Sequence, residues 1–224
     1  MRGDTTQKKL AIVFTGDEFA DGGDYIAGVL KQYGVKASFF LTGRFYRNPA
    51  FKPVVQRLRR GGHYLGAHSM DHLLYNDWTR RDSLLVTKDS FTRDLQHNYN
   101  AMAAFGVRKG EARFFLPPYE WYNDTIARWA SGMGLQLVNY TPGTLSHADY
   151  TTPLMKNYRS SDAILRSILD YEQRAPSGLN GFVLLLHIGT DGARTDKFYR
   201  QLPRLLQWLR KENYRIVRID ELFQ

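Results

Sequence analysis

The chain of 224 residues contains no cysteine, which excludes disulfide bridges and thiolate metal sites together. It has no apolar run near the roughly 20 residues that a membrane span needs. The first ten residues, Met1 to Leu10, lack the apolar centre of a secretory leader. No repeat, linker or low-complexity stretch divides the chain. One domain over residues 1–224 is therefore expected, with residues 1–8 flexible. Negative charge is in short supply, with 22 Asp and Glu against 31 Lys and Arg, a net charge of +9. Such a balance favours anionic partners. The only tight basic groups, however, are Arg57-Leu58-Arg59-Arg60 and Arg80-Arg81, and no nucleic-acid motif accompanies them. A solvated basic surface is expected, without a nucleic-acid partner.

Hydrophobic residues make up 43% of the sequence, enough for a substantial core. They fall into short apolar runs separated by helical patterns. Leu10 to Phe14 reads as a buried strand ending at Thr15-Gly16-Asp17-Glu18. Tyr25, Ile26, Val29 and Leu30 follow at helical spacing, and Gly34 is a helix stop. Lys36 to Thr42 is a second strand. Pro53, Val54, Val55 and Leu58 form another helix, ended by Gly61-Gly62, and Tyr64 to Ala67 is a third strand. Beyond it lie a loop and one long helix within 79–105, with Phe91, Leu95, Tyr99 and Met102 spaced for burial. Further strands are expected at 113–116, 135–140, 182–186 and 214–219, with helices at 125–132, 161–172 and 202–209. The segment 141–160 has the polar, Pro/Gly-bearing make-up of a functional loop. Strands alternating with helices through short turns predict an α/β fold with a parallel sheet. Functional groups in such folds collect at the carboxyl ends of the strands.

Asp17, Glu18, His68 and His187 all stand at such ends. His68 and His72 are four apart, a spacing that in one helical turn puts both imidazoles on one face. Imidazole suits zinc and similar ions, and a carboxylate from the Asp17-Glu18 pair would complete a set of two histidines and one acid.

The residues around these positions resemble the polysaccharide deacetylases of carbohydrate esterase family four, the NodB-homology group, over nearly the whole chain. The stretch Gln32 to Gly43 is similar to that family's second strand. Gly61 to His72, ending His68-Ser69-Met70-Asp71-His72, is similar to its metal motif His-Ser/Thr-x-x-His. The resemblance implies a distorted (β/α)7 barrel and metal-dependent hydrolysis of acetyl groups from sugars. Thr15-Gly16-Asp17-Glu18-Phe19 matches the family's T-F-D-D-G, which makes Asp17 the general base and Glu18, with His68 and His72, a ligand of one divalent transition metal, zinc first. Here the family's ligand Asp has become Glu18, whose carboxylate reaches about 1.3 Å further. Leu116-Pro117-Pro118-Tyr119-Glu120 resembles R-P-P-Y-G, with the base-orienting Arg replaced by Leu116 and the Gly by Glu120. Arg113 does not substitute, because an offset of three on a strand points to the other face. The Tyr119 N–H takes the oxyanion-donor role. His187 in Leu184-Leu185-Leu186-His187 takes the general-acid position, with Asp149 of Asp149-Tyr150 as its carboxylate support. His63, His97 and His147 are expected to be surface or structural.

The expected substrate is an acetylated glycan, with Tyr119, Glu120 and Trp121 as contacts and Tyr75, Trp78, Trp121 and Tyr122 as possible stacking rings. N-deacetylation of a GlcNAc-containing glycan comes first. An O-acetyl esterase of the xylan type is the alternative within the enzyme class, and a catalytically weak or inactive glycan-binding relative the alternative outside it. That substrate class favours a periplasmic or extracellular site of action, which would require a leader not contained in this sequence.

Overall fold

In the computed structural model, which describes residues 1–224, the elements alternate along the chain. β1 (Lys9–Gly16), α1 (Gly23–Tyr33), β2 (Ser38–Leu41), α2 (Gly43–Arg47), α3 (Lys52–Arg60) and β3 (Tyr64–Ala67) come first. They are followed by α4 (Lys88–Ala103), β4 (Phe114–Phe115), α5 (Asp124–Gly132), β5 (Gln136–Leu137), α6 (Ser161–Arg174), β6 (Val183–His187), α7 (Leu202–Lys211), β7 (Arg215–Val217) and α8 (Ile219–Leu222). All pairings are parallel, in the order β5-β4-β3-β2-β1-β6, and β7 joins β1 at its amino-terminal half. The sheet curls into a distorted half-barrel with helices packed outside. β5 and β6 are not paired along their length. The gap is crossed where the Thr141 N–H donates to the Val183 carbonyl at 3.0 Å and the Val183 N–H to the Thr141 hydroxyl at 3.0 Å.

β1 is the hub, because it pairs with three strands and has no solvent face. Leu10, Ala11, Ile12, Val13 and Phe14 are all fully buried, as expected of a central parallel strand covered on both sides. Phe14 stacks on Phe39 of β2 with centroids 5.0 Å apart. These residues belong to one cluster of 55 buried side chains that reaches every helix, including α8 through Ile219 and Leu222. Burial on this scale is the main favourable term in folding.

Two local features go beyond what the sequence pattern marks. The first eight residues, expected to be flexible, include an anchor: the Arg2 guanidinium donates to the carbonyls of Gly178 at 2.6 Å, Asn180 at 2.7 Å and Ser177 at 3.2 Å. Beside it the Gly3 N–H donates to Gly181 at 2.7 Å. Gly181 has φ +67°, and a Cβ there would meet the Gly3 carbonyl oxygen at 2.5 Å, so only glycine allows that approach. The second feature is α2. Periodicity marks no element between Gly43 and Pro53, because five residues are too few to show a helical stripe. Its start is set by a cap instead, the Thr42 hydroxyl accepting from the Phe45 N–H at 3.1 Å.

His63 is structural. It is buried, and its Nδ1 accepts from the Ala37 N–H at 3.2 Å. Burial, with Lys36 and Arg218 adding to it, pushes its ring down to about 4. The unfolded chain therefore binds a proton that the folded one refuses, and stability falls as pH drops from 6.5 towards 4. His63→Asn, which keeps an acceptor near the Ala37 N–H, is expected to flatten that loss by up to about 3 kcal/mol, as read from urea unfolding at pH 7 and pH 4.5.

Candidate active site

The carboxyl ends of β1, β3, β4 and β6 open into one cavity of about 580 Å³, lined among others by Asp17, Glu18, His68, His72, Tyr119 and His187. Sheet register accounts for part of this convergence. Thr15 of β1 stands opposite His187 of β6, so the residues just beyond each face one another across the same rim.

Asp17 is held from β2's end. The Thr42 hydroxyl donates to its Oδ1 at 2.8 Å, while the Arg44 guanidinium donates through Nε to Oδ1 at 3.2 Å and through Nη2 to Oδ2 at 2.5 Å. Thr42 thus does two jobs with one hydroxyl, accepting the helix cap and donating to the carboxylate. Leu116, where the family pattern has arginine, is fully buried and apolar. Arg44 reaches the same carboxylate from a different element. Sequence reading missed it, although its place at the rim directly after β2 was a usable signal.

His68 and His72 meet, but not on a helix. Ser69 has φ 73° and His72 φ 54°, so the segment is a tight loop rather than the helical turn expected from the spacing. Asp94 of α4 shapes it. Its carboxylate accepts from the Ser69 hydroxyl at 2.6 Å and from the N–H groups of Met70 at 2.9 Å and Asp71 at 3.1 Å. One turn on, Asn98 accepts the His68 N–H at 3.0 Å and donates to the Leu41 carbonyl at 3.3 Å. Burial raises Asp94 above the usual carboxylate range, against the pull of those three donors. Polar residues on the buried stripe of α4 were the sequence signal for this support. Gly43 closes the packing from the other side, since a Cβ there would sit 1.9 Å from the Met70 sulfur.

The His68 Nδ1–H donates to the Leu116 carbonyl at 2.7 Å, which leaves Nε2 as the lone-pair nitrogen. Burial pushes His68 well below its ordinary value, His72 and His187 add to this, and the Leu116 carbonyl opposes it. His72 is pushed down to about 4, by burial first, with Asp17 opposing and Arg44 and His187 adding. Both rings are therefore neutral near pH 7, with centroids 5.0 Å apart.

His187 is the opposite case. Its backbone N–H donates to Asp149 Oδ2 at 2.9 Å and its Nδ1 to Oδ1 at 2.6 Å. Burial alone would lower the ring; the Asp149 charge and hydrogen bond, with Glu120 behind them, outweigh it and raise it. The Asp149 loop is backed by Arg194, fully buried, which donates to the carbonyls of Thr151 at 2.6 Å and Arg159 at 3.0 Å. Tyr150 lies 5.2 Å from the His187 ring. His147, expected to be surface or structural, lines the cavity and stacks on Tyr140 at 4.9 Å.

Tyr119 packs edge-on against His72 at 4.4 Å, and both Tyr119 and Glu120 have positive φ. Trp121 lines the cavity beneath Trp78, with centroids 5.8 Å apart. Trp78 is half exposed at the rim. Tyr75 does not belong with them. It is fully buried against Phe91 and Phe115 and is a core residue.

The chemistry of the two imidazoles suits a metal ion: neutral rings, one with its tautomer fixed by a backbone carbonyl. The third donor does not join them. Glu18 is exposed, and no three His, Asp or Glu side chains converge on a common point that an ion could occupy. Asp17 lies near His72, but both of its oxygens are engaged by Thr42 and Arg44.

A family model described as polysaccharide deacetylase matches residues 2–138. The chain belongs to that family. It is 26% identical to a peptidoglycan-N-acetylglucosamine deacetylase of Bacillus cereus over 92% of this chain and 86% of the relative. It is also 26% identical to a bifunctional xylanase/deacetylase of Pseudobutyrivibrio xylanivorans, over 99% of this chain but 32% of that longer protein. Among solved structures, the fold matches a Bc1960 peptidoglycan N-acetylglucosamine deacetylase with TM-score 0.77 at 21% identity, covering 100% of this chain and 92% of the other. It also matches a CE4 family pseudoenzyme from Bacillus anthracis with TM-score 0.73 at 18% identity, covering 100% and 68%. A polysaccharide deacetylase fold is thus compatible with both an active and a silent site, and the side chains must decide.

Arg44 holds the Asp17 carboxylate that the family pattern would pair with an arginine at position 116. Arg44→Ala is expected to lower kcat on any substrate the chain turns over by about 10- to 100-fold, as misplacing a catalytic group does. Arg44→Lys, which supplies charge without the two-pronged geometry, should recover only part of the loss. Unchanged kcat in folded Arg44→Ala would remove its assigned role.

Proposed function

We propose that this chain hydrolyses acetyl groups from a carbohydrate, the N-acetyl group of a GlcNAc-containing glycan before the O-acetyl group of a xylan-type polymer. The observation that carries the reading is one cavity holding a carboxylate fixed by Arg44 and Thr42 together with an imidazole fixed by Asp149. Hydrolysis of an amide needs those two functions: a base to take a proton from water and an acid to give one to the leaving nitrogen.

Asp17 is the base of this scheme. It accepts a proton as a water oxygen bonds to the acetyl carbon, and the carbonyl electrons move onto oxygen. The Tyr119 N–H is the donor for that oxyanion. The tetrahedral adduct collapses with cleavage of the C–N bond, and His187 delivers the proton that makes the leaving group a free amine. Acetate and an amino sugar are the products. The aspartate behind the imidazole keeps its proton available near neutral pH, where an isolated buried histidine would have lost it. Trp78 and Trp121 offer flat apolar faces suited to sugar rings.

A divalent transition metal, zinc first, is part of the expectation drawn from the family. His68 and His72 would supply two donors, and the third is not assembled, so no step is routed through an ion. The same observation favours the second reading, a glycan-binding relative without turnover. Acetate release from chitotetraose and from acetylated xylan, each with added zinc and with chelator, separates the readings. Release from chitotetraose supports the first, release from xylan alone the ester alternative, and none from either supports the binding protein. Asp17→Asn should abolish any release, by about 10²-fold or more.

The pH dependence carries a sign. His187 must be protonated to donate, so activity falls as pH rises through its raised value. Asp149→Asn removes the charge that raises the ring and leaves the burial that lowers it. The basic limb of kcat against pH is expected to move to lower pH, with a drop in kcat at pH 7.5. A limb left in place would show that another group supplies the proton.

A further inference from the structure

Glu120 occupies the position at which the family pattern has glycine, and the backbone there keeps a conformation that glycine adopts freely. Its φ is 54°, directly after 58° at Tyr119. Two consecutive non-glycine residues in the left-handed region are costly and persist only where the surroundings hold them. They are held: the Glu120 N–H donates to the Pro117 carbonyl at 3.0 Å, and the Asn139 amide donates to the Glu120 carbonyl at 2.8 Å. The direction of the side chain is thereby set, and it lines the cavity with His187, Tyr140 and Tyr150.

The carboxyl is half-buried and makes neither an ion pair nor a hydrogen bond within the chain, in a protein with 31 cationic side chains. Burial pushes it up to about 7, with Asp149 adding to the push and His187 opposing it. It is not needed to orient His187, whose Nδ1 and backbone N–H are both taken by Asp149. Ionised above pH 7, a fixed, partly desolvated carboxyl facing an open cavity gains most from a ligand that brings a donor, and resists one that brings another negative charge.

We propose that Glu120 is a specificity residue, selecting a glycan that offers a hydroxyl or amine donor beside the scissile acetamido group and rejecting one that places a carboxylate there. The identity of the glycan rests on the deacetylase reading; the charge selection does not. The choice works by repulsion as much as by attraction, since an anionic ligand would stand against both Glu120 and Asp149.

Calorimetric binding of three tetrasaccharides at pH 8, where Glu120 is ionised, tests it: N-acetylated chitotetraose, its amine-bearing deacetylated form, and a hyaluronan tetrasaccharide, which sets a uronate beside each acetamido sugar. The measurements use Asp17→Asn protein, so that no acetyl group is lost, with and without Glu120→Gln. In the parent, the uronate ligand should bind at least about tenfold more weakly than chitotetraose. Glu120→Gln should shrink that penalty severalfold and weaken the amine ligand by a similar factor. Glu120→Gly, which relieves the backbone, provides the same comparison should the glutamine variant fail to fold. Unchanged ratios, or no binding of any of the three to the parent, overturn the proposal. Acetate release by the wild-type chain is measured in parallel; its absence counts against the deacetylase reading and leaves the binding ratios to decide on Glu120.

Discussion

The parallel pairing of β1 with its neighbours is the constraint on which the rest depends. β1 hydrogen-bonds to β2, β6 and β7 and is buried on both faces, so a slip in its register would draw Lys9 or Asp17, which flank the apolar run from Leu10 to Phe14, into the core. The register that buries those five residues also fixes Thr15 opposite His187 and Gly16 opposite Leu41. Asp17, Thr42 and His187 are therefore brought to one rim by core packing before any polar contact is made. This is why a rim of chemistry can be carried by a sheet whose own residues are almost wholly hydrophobic.

On that rim the final positions are set by polar clamps, each joining a loop to an element behind it. Asp94 and Asn98 reach out of α4 to fold the His68–His72 loop; Arg44 and Thr42 grip Asp17 from the start of α2; Asp149 takes both donors of His187, with Arg194 behind its loop. The clamps combine side chain–backbone with side chain–side chain contacts and are mostly charge-assisted, which fixes direction well in a partly desolvated site. They also push the histidines apart in character. His68 and His72 are held neutral by burial, whereas His187 is held towards its charged form by a carboxylate. Ligand-like and acid-like imidazoles in one cavity are distinguished by their surroundings alone.

The departures from the family pattern do not have equal consequences. The loss of arginine at Leu116 is offset, since Arg44 meets the same carboxylate from a neighbouring strand end. Glu18 is not offset, because no third side chain has moved in beside the two imidazoles. Glu120 adds a carboxyl group where the pattern has glycine. Taken together, they describe a member of the polysaccharide deacetylase family in which Asp17 and His187 are each held by a charged side chain, while Glu18 stands apart from His68 and His72.

The amino-acid sequence by itself determined the strand order of use: short apolar runs bounded by glycine and polar residues named β1, β2, β3 and β6 and the rim positions Asp17, His68 and His187. These are local properties, and a buried strand leaves a contiguous apolar signature that neighbours in space cannot disguise. It also brought His68 and His72 together, though for a helical reason that the backbone does not follow. Only the tertiary structure decided what stands behind each of them. Arg44 lies 27 residues from Asp17 and Asp94 lies 25 from Ser69, and contacts made across such separations leave no period in the sequence. Tyr75 and Trp78 look alike as aromatic residues of one loop, yet one is core and the other rim, because burial is a property of the packed fold and not of the residue.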